Sequence, residues 1–171
     1  MIKTVQLLSI TFIFLFLSST SVTAQKFGHI NSQKFIADLP AAKQIDQELV
    51  TYRDQLIAAT NKLQEALDIK AKDFEAAYTE GRYSKKEAEE RYAKLEGEQK
   101  EIFARRQEDE QKMLKKRESL YSPIFLRVDE VIKQVGKENG FDFIFDSSYY
   151  NAILYVESED ISTLVKAKLQ E

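Results

Sequence analysis

Apolar residues from Ile45 onward fall at Leu49, Tyr52, Leu56, Ala59, Leu63 and Ala66, alternating steps of four and three. That is the seam of a coiled-coil helix. The seam then shifts phase to Leu67, Phe74 and Tyr78, as a stutter does. Nothing between Pro40 and about Thr79 breaks a helix, and Pro40 suits a first turn, where its missing N–H has no partner to lose. Gly81 is a natural helix stop, and Ser84 with Glu87 three residues on forms a capping box that opens a second helix. That helix carries Ala88, Tyr92, Leu95, Ile102 and Met113 on its seam, with polar Gln99, Arg106 and Asp109 between them. Ser122-Pro123 predicts its end near Tyr121.

The only prolines are Pro40 and Pro123, and their midpoint, 81.5, lies on the Gly81–Arg82 bond. A chain folding back there brings Leu49 opposite Leu114 and Val50 opposite Met113. Each arm then extends ~60 Å at ~1.5 Å per residue. The alternative, one continuous rod, conflicts with a glycine stop followed directly by a capping box.

Either side of the arms the pattern changes. Lys26–Asn31 reads as a short strand, and Ser32 as the cap of a short helix with Phe35, Ile36 and Leu39 on one side. Ile124, Phe125, Val128, Val131, Ile132 and Val135 predict a much more apolar helix ending at Asn139-Gly140. Phe141–Asp146 and Ala152–Val156 read as strands. Ser158 and Asp160 offer caps for a last helix bearing Ile161, Leu164, Val165 and Leu169. The expected fold is α+β and mostly helical, with a hairpin arm at 40–123 projecting from a small strand body. That body is built from residues 25–39 plus 124–171. At 63 residues it is too small to supply more than ~3–5 kcal/mol without a staple. Cysteine is absent and His29 is the sole histidine, so association is the remaining route and predicts a homo-oligomer. The expected shared surface comprises Phe27, Ile30, Phe141, Phe143, Phe145, Ile153 and Tyr155.

The N-terminus changes the setting. Lys3, an apolar run from Val5 to Leu17, and Val22-Thr23-Ala24 form the three parts of a cleavable export signal over residues 1–24. The run is short of the roughly 20 residues a membrane span needs, so no stable membrane insertion is expected. Lys3 is the only charge in 1–24, so the 25 basic residues fall to 24 against 28 acidic ones in the exported chain. An acidic balance opposes nucleic-acid binding.

Catalytic and metal chemistry find no purchase. A zinc set needs cysteine or more than one histidine. The five glycines are isolated, so no phosphate loop exists. Neither cofactor nor metal is expected, and no enzymatic residues stand out. What remains is a binding surface, for which Phe74, Tyr78, Tyr83 and Phe103 are the candidates on the arms, spread along them rather than gathered in a pocket.

Phe27-Gly28-His29-Ile30-Asn31-Ser32, the strand Phe141–Asp146 after Asn139-Gly140, and Ala152-Ile153-Leu154-Tyr155 followed by Asp160-Ile161-Ser162 resemble the Skp/OmpH family of periplasmic chaperones. The resemblance covers essentially the whole chain after the signal. It implies a trimer with a β-barrel body and three helical arms enclosing a cavity. It also implies ATP-independent holding of unfolded outer-membrane proteins in the periplasm. The family's better-known members are basic and this chain is acidic, so no binding residues of a positive arm surface carry over. An envelope adaptor that grips one folded partner is the competing expectation.

Overall fold

The computed structural model describes residues 25–149, 155 and 157–170. The expected signal at 1–24 lies outside them, as does Ile153 with most of the strand expected at 152–156. Strand β1 spans Phe27–Ile30, helix α1 Ser32–Ala37, α2 Pro40–Thr79, α3 Lys85–Glu138, β2 Phe143–Asp146, β3 Glu159–Asp160 and α4 Ser162–Leu169.

The turn chemistry acts as its residues dictate. Pro40 sits in the first turn of α2. Gly81 takes φ +71°, a left-handed conformation that glycine adopts without a Cβ penalty. The Ser84 side chain accepts from the Glu87 N–H while the Glu87 carboxylate accepts from the Ser84 N–H, closing the capping box. One cap differs from expectation. Asn31, not Ser32, accepts from the first turn of α1, at Lys34 N (2.9 Å), and frees Ser32 to donate to Asp146 on β2.

The break expected at Ser122-Pro123 does not occur, because α3 runs unbroken through Pro123 for 54 residues. Pro123 is exposed, and so is Ser119, whose carbonyl it deprives of a helical N–H donor. The next turns carry Val128, Val131 and Val135, all buried in the body. Their burial, at about 1.5–3 kcal/mol per side chain, outweighs the ~3 kcal/mol that a proline costs a helix interior.

Contacts between α2 and α3 descend along one as they rise along the other. Asp46 accepts from Tyr121 (2.7 Å), Glu48 pairs with Lys116 (2.7 Å), Thr60 bonds Asp109 (3.0 Å) and Lys70 pairs with Glu98 (2.7 Å). The proline midpoint places Gln99 opposite Gln64, where the two side chains lie 3.5 Å apart, and comes within one position at Glu48–Lys116, but it falls six positions short at Thr60–Asp109. The seam differs too. After Leu56 it passes through Thr60 and Leu67, which are buried, while Ala59, Leu63 and Ala66 are exposed. Tyr92, expected on the seam, is exposed as well.

The body is a three-stranded, all-parallel sheet in the order β2-β1-β3, with Phe27 beside Phe143 and His29 beside both Phe145 and Asp160. Its inner side and the helices share one core of Ile30, Phe35, Ile36, Ala42, Val128, Val131, Val135, Ile161 and Val165. Gly28 lets β1 approach this core closely, since a Cβ there would stand 3.0 Å from Ile161 Cγ2 and from the Phe141 ring.

Candidate functional site

Period-two alternation puts Gly28, Ile30 and Ile144 towards the core and sends Phe27, Phe143 and Phe145 to the other side of the sheet. Those three rings contact one another, with centroids 5.9, 6.1 and 6.4 Å apart. Among the described residues no helix covers them: they are 39%, 55% and 44% exposed. Tyr155 is exposed too. Ile30 and Phe141 are different. Ile30 is fully buried in the chain's own core, and Phe141 packs against that core under the Lys26 ammonium, 3.9 Å from its ring centre. Of the residues expected on a shared face, the structure therefore groups three phenylalanines and turns two others inward.

Around that sheet most polar groups find local partners, the buried Ser148 Oγ being an exception. His29 Nδ1 lies 3.0 Å from Ser158 Oγ. Hydrogen bonds from Ser162 hold the Asp160 carboxyl below its ordinary pKa. Burial pushes the Asp146 carboxyl up, but bonds from Ser32 and Ser148 outweigh it and the net direction is down. These carboxylates brace loop to strand, and no group of three His, Asp or Glu among the described residues could hold a metal ion.

On the arms, Phe74, Tyr78 and Tyr83 are not dispersed. Phe74 stacks on both tyrosines at 5.9 Å, and the Arg91 guanidinium sits 4.5 Å over the Tyr83 ring. They form one knot where α2 turns into α3. Phe103 stands apart on α3 and is exposed.

Phe103 belongs to a row that the seam pattern hid. Tyr92, Phe103, Leu114 and Phe125 recur every eleven residues on α3, and all are between 52% and 61% exposed. Eleven residues make three turns at 3.67 residues per turn, so the four share one face of the helix. The row extends ~50 Å at the helical rise. The eleven-residue repeat was visible in the sequence, but it competes with the seven-residue seam to which Tyr92 also conforms.

The family model for OmpH-like outer membrane proteins matches this chain over residues 26–169. The chain belongs to the OmpH-like family. Among solved structures it is similar to a protein from Caulobacter crescentus CB15 described as an OmpH-like outer membrane chaperone. The TM-score is 0.72 and the identity 19%, covering 89% of this chain and 88% of that one. At that identity the likeness speaks for the OmpH-like fold. No curated protein matches the sequence. Among the described residues of this OmpH-like chain, no helix is long and apolar enough to cross a membrane.

Proposed function

We propose that the chain is a chaperone of the cell envelope, an ATP-independent holdase that keeps unfolded outer-membrane proteins from aggregating in the periplasm. The observation that carries this reading is the row Tyr92, Phe103, Leu114 and Phe125, exposed along a helix that is otherwise densely charged. The four stand ~16 Å apart at the helical rise, a line of separate apolar points along one face of the helix. An unfolded barrel-forming chain exposes alternating apolar residues and unpaired strand edges, both prone to association. Widely spaced contacts grip such a chain weakly at many points and demand no particular sequence.

In this reading the export signal at 1–24 is removed after Ala24, residues 40–123 are the arm, and 25–39 with 124–171 form the assembly body. The Phe27/Phe143/Phe145 cluster becomes the shared core of a homotrimer. Three exposed aromatic rings, beside sheet edges that no further strand among the described residues pairs, support that assignment. The arms of three subunits then enclose the client, and no nucleotide, cofactor or metal takes part.

The test dilutes a urea-unfolded outer-membrane protein into buffer with the exported chain and without nucleotide, and follows light scattering. Suppression at stoichiometric oligomer is expected, for several unrelated clients. Failure for all of them favours the second reading, an envelope adaptor that grips one folded partner. The compact knot of Phe74, Tyr78 and Tyr83 is the observation on that side, because a small aromatic cluster suits a defined pocket on a folded surface.

A further inference from the structure

We propose that a groove between the arms, at the level of Thr60, binds peptide segments in which an apolar side chain stands beside a carboxylate. This deepens the holdase reading, on which it rests for the source of such segments.

The groove has a volume of about 720 Å³ and follows one side of the helix pair, from Arg53 to Asn61 on α2 and from Arg106 to Arg117 on α3. Leu56, Ile57, Met113 and Leu114 make its floor. Ile57 and Leu114 are at least half exposed, so the floor is open to a ligand. The apolar seam is interrupted here by the Thr60–Asp109 bond, and Asp109 is spent within the arm, accepting from Arg105 (3.2 Å) and Lys112 (3.0 Å) as well.

Two of the three rim guanidiniums are not spent on carboxylates. Arg53 is paired with Asp54, but Arg106 reaches only a neutral acceptor, Gln64 Oε1, at 3.4 Å. Among the described residues Arg117 makes neither an ion pair nor a hydrogen bond. Of the two lining carboxylates Asp109 is spent, and Glu110 makes no ion pair among the described residues. Two unneutralised guanidiniums against one carboxylate leave the groove positive within a chain of net charge −3. A guanidinium fork matches a carboxylate geometrically, and four aliphatic side chains suit an apolar neighbour. The Asn61 carboxamide also lines the groove and makes no hydrogen bond among the described residues, so it offers one donor group and one acceptor, the complement of a peptide unit rather than of an acyl chain.

The experiment uses the exported chain, residues 25–171, with labelled peptides read by fluorescence anisotropy. Alternating Phe/Asp, Phe/Lys and Ser/Asp peptides separate the apolar from the charged requirement. The Phe/Asp peptide is expected to bind about tenfold more tightly than either of the others. The double variant Arg106→Gln/Arg117→Gln should remove that advantage while leaving Phe/Lys binding and helicity unchanged, and added salt should do the same to the native chain. Equal binding of both Phe peptides, or indifference to the double variant, overturns the proposal. So does binding to anionic phospholipid vesicles with no peptide binding. Client aggregation is scored separately: protection without peptide preference removes the groove and keeps the holdase, and the reverse removes the holdase.

Discussion

Thr60 Oγ1 donates a 3.0 Å hydrogen bond to Asp109 Oδ2 across the interface of α2 and α3, with both residues buried in what is otherwise an apolar seam. Arg105 and Lys112 contact the other carboxylate oxygen. A buried polar pair that is fully bonded tolerates only one alignment of its helices, and this one fixes which turn of α3 faces which turn of α2.

Asp109→Ala leaves the Thr60 hydroxyl and two cations without their acceptor and is expected to destabilise the arm by about 1–3 kcal/mol. Burial pushes the Asp109 carboxyl up, but the bonds from Lys112 and Thr60 and the charges of Lys112 and Arg105 outweigh it, so its pKa lies below the ordinary value of 3.8. A lowered folded-state pKa gives stability that is complete above the ordinary value and lost as pH falls through the lowered one. Thermal melts followed by helical circular dichroism should show an acid decline that is shallower in Asp109→Ala. Parallel pH profiles for the two proteins would remove Asp109 from this role.

Phe143 is over half exposed in the single chain, so Phe143→Asp should leave the core of Ile30, Val131, Val135, Ile161 and Val165 intact. In an oligomer it would bury an unpaired charge at several kcal/mol. Mass measurement is expected to show single chains with native helicity. An oligomer of unchanged mass would place Phe143 on a free surface.

Pro123→Ala restores a helical hydrogen bond in the middle of α3. After the lost rigidity of the unfolded chain is discounted, a gain of about 2 kcal/mol is expected. A rise in the urea midpoint checks it, and a fall would show that the proline's local geometry is needed where α3 enters the body.

Gly28→Ala drives a methyl group to 3.0 Å from Ile161 Cγ2 and from Phe141 Cε1. Overpacking of this kind costs about 1–3 kcal/mol, and the loss should appear in the body rather than the arm. Hydrogen exchange localises it: faster exchange is expected in β1 and at the start of α4, with α2 near Leu67 unchanged.

The sequence by itself determined the elements whose causes are local. The Pro40 start, the Gly81 stop and the Ser84/Glu87 box act within four residues of themselves, so both arm helices and the turn between them were legible. The alternation in Phe141–Asp146 likewise marked β2. Tertiary structure decided whatever depends on a distant partner. Thr60 enters the seam in place of Ala59 because an acceptor waits 49 residues away at Asp109. Strand β3 at Glu159–Asp160 has no apolar pattern of its own and exists only as a neighbour of β1. Pro123 stays helical because the valines that follow it gain more by burial than the proline loses. Phe27, Phe143 and Phe145 had the same aromatic character as Phe141 in the sequence. Only the sheet, by turning successive side chains to opposite faces and packing one face on helices, left these three together and uncovered.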